Sequence, residues 1–442
     1  MLSLLLAVSL NSPNQPQVPF VRHPKMAYIE NGVIKLGVDL NLGGSITYLA
    51  PISHPEKSLV NSSDLGRQIQ LSYYSGPVPY HPKGATISKS WQFLGWNPIQ
   101  SGDYYGNSSK ILSTKIGKDR LTLRCIPMHW PLKNVPGECE CEVSLQLEGA
   151  AVKAKCRLFN KRDDDLTQYS ARAQELPAVY VNAPYYHLMT YTGSAPWAQA
   201  PLTEIHNRLD MEQHWATWLA TENWAAQVDD HQWGLGVWNT GTARFSGGFF
   251  GEPGVGGPDD GPTGYIAPNR TEILDHNIVY DYNYVLVVGS LNEIRTYIYN
   301  HAKHDLPVWN FNRTREGWNY ENASDKGWPL KGGLDFTVAN KSVHLFSPEF
   351  ALPLAHLSAV TIQVSCSGSP ASAELMAKTS RSNEFSPITN QPLSLMSDGK
   401  LHTYRIQVKP QLSEAELLNQ LKFSFKSDKE TSLMVKLVRI EK

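Results

Sequence analysis

Charge is scarce in this chain and neither sign prevails: 18% of its 442 residues are charged, with 40 Lys and Arg against 41 Asp and Glu. No long run of either sign offers a track for a phosphate backbone, which argues against nucleic acid as a partner. Long apolar runs are missing too, and none approaches the ~20 residues that a membrane-spanning helix needs. The sequence has no Gly-x-Ser-x-Gly elbow and no His-Glu-x-x-His zinc helix. Gly247 to Gly257 is glycine-rich but lacks the helix and Lys-Ser/Thr that follow a phosphate loop, so it reads as a flexible loop. Helical periodicity is confined to Leu291 to His304, where Ile294, Tyr297, Ile298 and Ala302 recur behind Ser290 as N-cap, and to a turn or two over Ser413 to Leu421.

Cysteine is sparse as well. Cys125, Cys139, Cys141 and Cys156 fall in one β-rich stretch, and Cys366 stands apart. In an oxidising compartment one or two bridges among the first four are expected, with the connectivity open. Cys-Glu-Cys without a partner pair is a poor zinc site, and no cofactor is expected. Asp259 and Asp260 supply two carboxylates toward a structural Ca²⁺, too few to establish one. An exported protein is the expectation from Met1 to Leu10 (MLSLLLAVSL), an apolar segment followed by polar, proline-bearing sequence, although a basic n-region is lacking. Six Asn-x-Ser/Thr triplets, at Asn61, Asn107, Asn269, Asn312, Asn322 and Asn340, fit surface loops of such a protein.

Rings are what the chain has in quantity, with 12 Trp and 20 Tyr. Flat rings with few charges suit a neutral, hydroxyl-rich ligand, because a sugar stacks its C–H face on an aromatic ring and pairs its hydroxyls with amides, carboxylates and guanidinium groups. An oligo- or polysaccharide is therefore the expected partner. The competing reading is that the same rings fill strands and cores.

From residue 27 onward the pattern has period two. Ile34, Leu36, Val38 and Leu40 alternate with Lys35, Gly37 and Asp39 between an Asn31-Gly32 hairpin signal and a Gly43-Gly44 turn. Further alternation covers Ile69 to Tyr74, Lys110 to Ile116, Arg120 to Pro127, Glu140 to Leu147, Val152 to Phe159, Trp233 to Phe250 and Tyr280 to Val288. The pattern predicts an all-β protein: a large antiparallel supersandwich over 27–305, then a smaller, jelly-roll-like β-sandwich over 306–442, with 1–26 signal-like or disordered.

Two resemblances carry this further. The opening IENGVIKLGVDLNLGGSITYL resembles the galactose-mutarotase-like supersandwich shared by sugar epimerases, many polysaccharide lyases and several glycosidases. Asn182-Ala183-Pro184-Tyr185-Tyr186-His187-Leu188 is similar to the asparagine, catalytic histidine and aromatic pair of the epimerases, except that Ala183 stands where the histidine would. The usual mutarotation pair is therefore not implied. Trp309, Phe311, Glu316-Gly317-Trp318 and Ser347-Pro348 resemble the accessory, carbohydrate-binding-module-like sandwiches appended to secreted glycan-active enzymes.

Three segments concentrate polar groups among rings. In Asp64 to Tyr74, Arg67 faces opposite to Gln68 and Gln70, so the guanidinium or the amides can meet a ligand, and Arg67 can equally pair with Asp64. In Trp91 to Tyr105, Trp96, Asn97, Asp103 and Tyr104 are the candidate sugar contacts, unless the loop folds onto its own sandwich. In Gln174 to Trp197, Glu175 and His187 form the candidate acid and base, Tyr185 is the lyase-type alternative, and Trp197 closes the loop. Glu252 reaches toward a cleft from the glycine-rich loop. Asp229-Asp230-His231 reads as a hairpin turn. The expected function is cleavage of a polysaccharide or glycoside, by paired acids as in hydrolases or by a proton-abstracting base as in lyases. The alternative is a lectin-like protein that binds without turnover.

Overall fold

Alternating strands build four antiparallel sheets in two sandwiches. The computed structural model describes residues 23–82, 84–87, 89–163, 167–207, 215–275, 277–327, 329–408 and 416–442, so the signal-like Met1 to Leu10 lies outside the described residues. The first sandwich pairs a 10-stranded with a 9-stranded sheet. The larger sheet runs Met26–Glu30, Ile34–Asp39, Ser45–Pro51, Ile69–Ser72, Arg172–Asn182, Thr263–Glu272, Arg244–Phe250, Ala216–Leu219, with Pro98–Ile99 and Met128–His129 attached beside Ile69–Ser72. Its partner contains His187–Thr190, Trp224–Val228, Trp233–Trp238, Val279–Ser290, Ala151–Asn160, Cys139–Glu148, Arg120–Ile126 and Lys110–Ile116 in that order, with Thr203–Ile205 at the edge. Val38, Leu49, Leu71, Val179 and Ile266 of one sheet meet Leu145, Leu158, Leu235 and Leu286 of the other in a single apolar core.

The outer faces of this sandwich differ. Over the 9-stranded sheet lies the helix Leu291–His301, whose Ile294 and Ile298 pack with Trp224 and Trp238. Ser290 and Glu293 close its start in a reciprocal capping box. Gly236 makes room for it, since a Cβ there would lie 2.4 Å from Ile294 Cγ2. The outer face of the 10-stranded sheet has no α-helix over it among the described residues, and it carries the clefts described below.

The second sandwich sets Val308–Trp309, Thr431–Glu441, Ala359–Gly368, Asp398–Gln407 and Leu334–Val338 against Asn319–Glu321, Val343–Phe346, Leu417–Ser427, Ala371–Thr379 and Ser382–Pro387. Trp318, Phe336, Phe423 and Phe425 fill a core separate from the first. Buried ions join the two bodies: Arg315 bonds Asp325 in its own sandwich and Asp275 of the first, at 2.6 Å. Arg244 grips Glu349 with two bonds of 2.6 and 2.7 Å. Gly317, at φ +82°, donates to Glu272, and a Cβ there would fall 2.7 Å from Arg270 Nε. The Glu316-Gly317-Trp318 turn is thus part of the joint.

Several expectations are corrected. Residues 417–421, expected to be helical, belong to the strand Leu417–Ser427, because Leu421, Phe423 and Phe425 fill the core between two neighbouring strands and tertiary pairing overrides local propensity; Ser413 itself lies outside the described residues. No bridge forms among the cysteines: all five are free and buried, acting as small apolar core residues, with Cys125 and Cys141 opposite each other on adjacent strands. Asn61 and Asn269 are not surface residues but almost fully buried, whereas Asn312, Asn322 and Asn340 are exposed.

Candidate functional site

The strand Arg172–Asn182 contains an irregularity that decides which way Glu175 points. Its register against both neighbours shifts between Glu175 and Ala178 or Val179. Pro177 lacks the N–H that a ladder position needs, and a bulge accommodates it. The extra residue reverses the alternation: Leu176, Val179 and Val181 point into the core, while Glu175, Ala178 and Tyr180 share the outer face. Pro268 of the neighbouring strand falls beside the same break.

A narrow cleft of about 70 Å³ opens there, lined by Gln70, Ser72, Tyr74, Asn97, Trp130, Glu175, Ala178, Tyr180, Trp215 and Tyr265 among others. Ala178 lines it beside the Tyr265 ring and packs with Ala267. Tyr265 lies between Tyr180 and Trp215, with ring centroids at 4.8 and 5.1 Å. Its hydroxyl donates to Glu175 Oε1 at 2.7 Å. Glu175 is the one carboxylate among the described residues lining the cleft. Burial raises its pKa above the usual carboxylate range, against the opposing effect of hydrogen bonds from Tyr265, Ser72 and Tyr74. Burial and the nearby Glu175 charge also raise the phenols of Tyr74, Tyr180 and Tyr265, which therefore stay protonated as donors.

The other residues singled out in the sequence are distributed as follows. Gln70 and Asn97 line the cleft with Glu175, but their amides are engaged: Gln70 Nε2 donates to Arg67 O at 2.8 Å, and Asn97 Nδ2 to Tyr73 O at 2.8 Å. Arg67 is buried, pairs with Asp64 at 3.2 Å and donates to the carbonyls of Asp260 and Gly261, so it anchors the loop after Glu252. Trp96 is fully buried, its indole N–H on Glu138 at 2.9 Å. Asp103 is equally buried; it accepts from the N–H groups of Tyr105, Asn107 and Asn134 and organises its own loop. Tyr104 packs on Trp91 and Trp130. Of the four candidate contacts in that loop only Asn97 lines the cleft, beside Leu94 and Ile99, and Glu252 stays exposed outside its walls.

The expected pair of Glu175 and His187 is not assembled. After Asn182 the chain crosses to the other sheet, where Leu188 points into the shared core and His187 points away from it, on the face opposite to Glu175. There His187 bonds Glu204 at 2.7 Å and Asp230 at 3.1 Å. Partial burial lowers its pKa, but these two carboxylates outweigh it and the net shift is upward. Tyr185 is packed in the core against Trp233, and Trp197 packs on Tyr299 and His304 beside the helix. Asp230 sits in the anticipated hairpin turn between Trp224–Val228 and Trp233–Trp238. Asp260 Oδ2 accepts from Gly257 N–H, and no cluster of potential metal ligands occurs among the described residues.

Ser72, Tyr74, Trp215 and Tyr265 were not anticipated as site residues. The strand that carries Tyr265 is hidden in the sequence by Pro268, which argues against a central strand unless a bulge stands beside it.

No protein-family model and no curated protein matches the chain. Solved structures do. A galactose mutarotase related enzyme from Lactobacillus acidophilus is similar over 60% of this chain and 98% of that one, at 12% identity and a TM-score of 0.39. A galactose mutarotase-like protein from Lactobacillus casei is similar over 60% of this chain and all of that one, at 11% identity and a TM-score of 0.37. A 4-alpha-glucanotransferase from Thermococcus litoralis is similar over 61% of this chain and 40% of that one, at 10% identity and a TM-score of 0.32. The likeness expected from the opening strands is thus found, and at these scores it concerns the fold alone.

Proposed function

We propose that the first sandwich acts on a saccharide by proton transfer at Glu175. The observation that carries this reading is the setting of that side chain: a carboxyl group with a raised pKa, held by Tyr265 and surrounded by Tyr74, Tyr180 and Trp215 on the outer face of the larger sheet. A protonated carboxyl can donate to a ring or glycosidic oxygen, and the same tyrosine and serine hydroxyls then stabilise the carboxylate left behind. Tyr74 and Tyr265 direct their phenols to Glu175, which leaves the protonated phenol of Tyr180 to donate to a sugar oxygen and the half-buried rings of Tyr180 and Trp215 to take a C–H face. The sugar-processing neighbours named above agree with a carbohydrate-related role.

Among the described residues that line the cleft Glu175 is the one acid, so the pair of carboxylates about 5–10 Å apart that hydrolysis uses is not seen among them. A single-acid proton transfer, such as opening a sugar ring or assisting an elimination, fits better. The same lone carboxylate favours a second reading, in which the cleft binds glycan without turnover. Incubation with a panel of neutral and uronic-acid oligosaccharides, followed by proton NMR of the anomeric signals and absorbance of unsaturated products, separates the two. New anomeric or unsaturated signals that disappear in Glu175→Gln support the enzyme; binding with unchanged sugars supports the lectin-like reading. We also propose export, resting on the MLSLLLAVSL segment, with recovery of the protein in the medium of expressing cells as its test.

A further inference from the structure

The cleft beside Glu175 is too small to enclose a sugar ring: about 70 Å³ is the share of only a few water molecules, whereas sites that bury a whole small ligand span roughly 300–1,000 Å³. Recognition must come from elsewhere on the same surface. Over the first three strands of the same sheet lies a wider, open depression of about 410 Å³, lined by Met26, Tyr28, Thr47, Tyr48, Ser58 and Asp259 among others. Its residues share the Glu175 face, because Ala27, Ile29, Leu36, Val38 and Leu49 of the same strands point the other way into the core. From Met26–Glu30, which carries Tyr28, to Arg172–Asn182 is four steps along the sheet, or about 19 Å at the usual strand spacing.

Tyr28 is displayed there in an unusual manner. It is 44% exposed, and it pairs across the ladder with Gly37. A Cβ at Gly37 would stand 2.6 Å from Tyr28 Cε1, so the glycine lets the ring lie down on the neighbouring strand instead of standing upright. Tyr48 meets it edge to face at 5.8 Å and 85°, forming a corner of floor and wall. Lys35 Nζ lies over the Tyr28 ring, 4.8 Å from its centroid and 3.8 Å from Glu30, so a sugar that stacks there displaces the ammonium toward the rim, where it can donate. Ser58 Oγ, shielded from solvent beside the depression, has no hydrogen-bond partner among the described residues. A recumbent ring for a C–H face, with donors and an unsatisfied hydroxyl around it, suits a sugar.

We propose that Tyr28, Tyr48, Lys35 and Ser58 form a second saccharide subsite, and that the substrate is a linear neutral oligosaccharide lying across the strands from this shelf to Glu175. This rests on the reading of Glu175 given above, and the test keeps the two apart. Affinities of the wild type, Tyr28→Ala, Gly37→Ala and Glu175→Gln are measured by calorimetry against malto- and cello-oligosaccharides of increasing length, from glucose to the hexasaccharide. The expected result is about a tenfold gain in affinity between the disaccharide and the longest chains, lost in both Tyr28→Ala and Gly37→Ala and kept in Glu175→Gln. Length dependence that survives Tyr28→Ala, or no gain with length, overturns the shelf while short-sugar turnover lost in Glu175→Gln leaves the first reading standing. Long chains that bind through Tyr28 with no turnover anywhere overturn the Glu175 reading and leave the shelf. Absence of binding by every sugar overturns both.

Discussion

Glu175 and Glu138 are two shielded carboxyl groups whose surroundings shift them in opposite directions, and their contrast separates the proposed proton-transfer site from a structural one. Burial acts upward on both. At Glu138 the hydrogen bonds of His129, Tyr80 and Trp96 more than reverse it and hold the group down at about 2, whereas at Glu175 burial prevails. The consequences for stability have opposite signs. Glu138 contributes stability that is present above the ordinary carboxyl range and lost as pH falls toward about 2, so Glu138→Gln should flatten the acid limb of melting temperature against pH. The raised group at Glu175 is most favourable below that range and loses its contribution as pH rises through its elevated value. Glu175→Gln should therefore melt higher than the wild type at neutral pH, with the gap closing in acid. A variant that melts lower at neutral pH would mean that Glu175 is a structural anchor. The sequence showed Glu175 as a carboxylate among rings, but not which rings. Tyr74, Trp215 and Tyr265 reach it from distant parts of the chain through sheet pairing. Asp103 was readable differently: its carboxylate accepts from the N–H two residues on, in Tyr105, a local turn bond that aspartate makes commonly in loops.

At the scale of the element, alternation made the strands legible wherever one face is apolar and the other wet. The range Arg120–Ile126, where Leu121, Leu123 and Cys125 are buried and the residues between them are not, follows the sequence pattern closely. It failed where the pattern is broken for cause: Pro177 and Pro268 mask a bulge in the centre of the larger sheet, and that bulge is what aims Glu175 outward. The helix was legible because capping and periodicity agree. Its docking depends on Gly236, so Gly236→Ala should cost about 1–3 kcal/mol in urea unfolding through the clash with Ile294. An unchanged midpoint would show that the helix shifts freely. The cysteines misled because spacing cannot reveal burial. Burial pushes the thiols of Cys125, Cys141 and Cys156 upward, away from reactive thiolate. All five thiols should be silent to a thiol reagent in the native protein and react together in denaturant.

For the molecule as a whole, the division into two sandwiches was visible in the change of rhythm after the helix, whereas the buried joint between them was not. Arg315, Asp275 and Asp325 are scattered in sequence, and each is 2% exposed or less in its side chain. Removing one partner of such a network leaves charge buried without compensation, at a cost of about 3–5 kcal/mol. Arg315→Ala should accordingly split a single thermal transition into two, read by calorimetry, as the sandwiches uncouple. One transition at the wild-type midpoint would show that the joint contributes little.

The account turns on whether Glu175 transfers a proton to bound sugar. The most direct measurement is turnover and binding by wild type and Glu175→Gln against one oligosaccharide panel, followed by anomeric proton NMR and calorimetry. The account predicts altered sugar signals with the wild type, none with the variant, and affinities that agree within a few fold. Turnover by Glu175→Gln at the wild-type rate would contradict it.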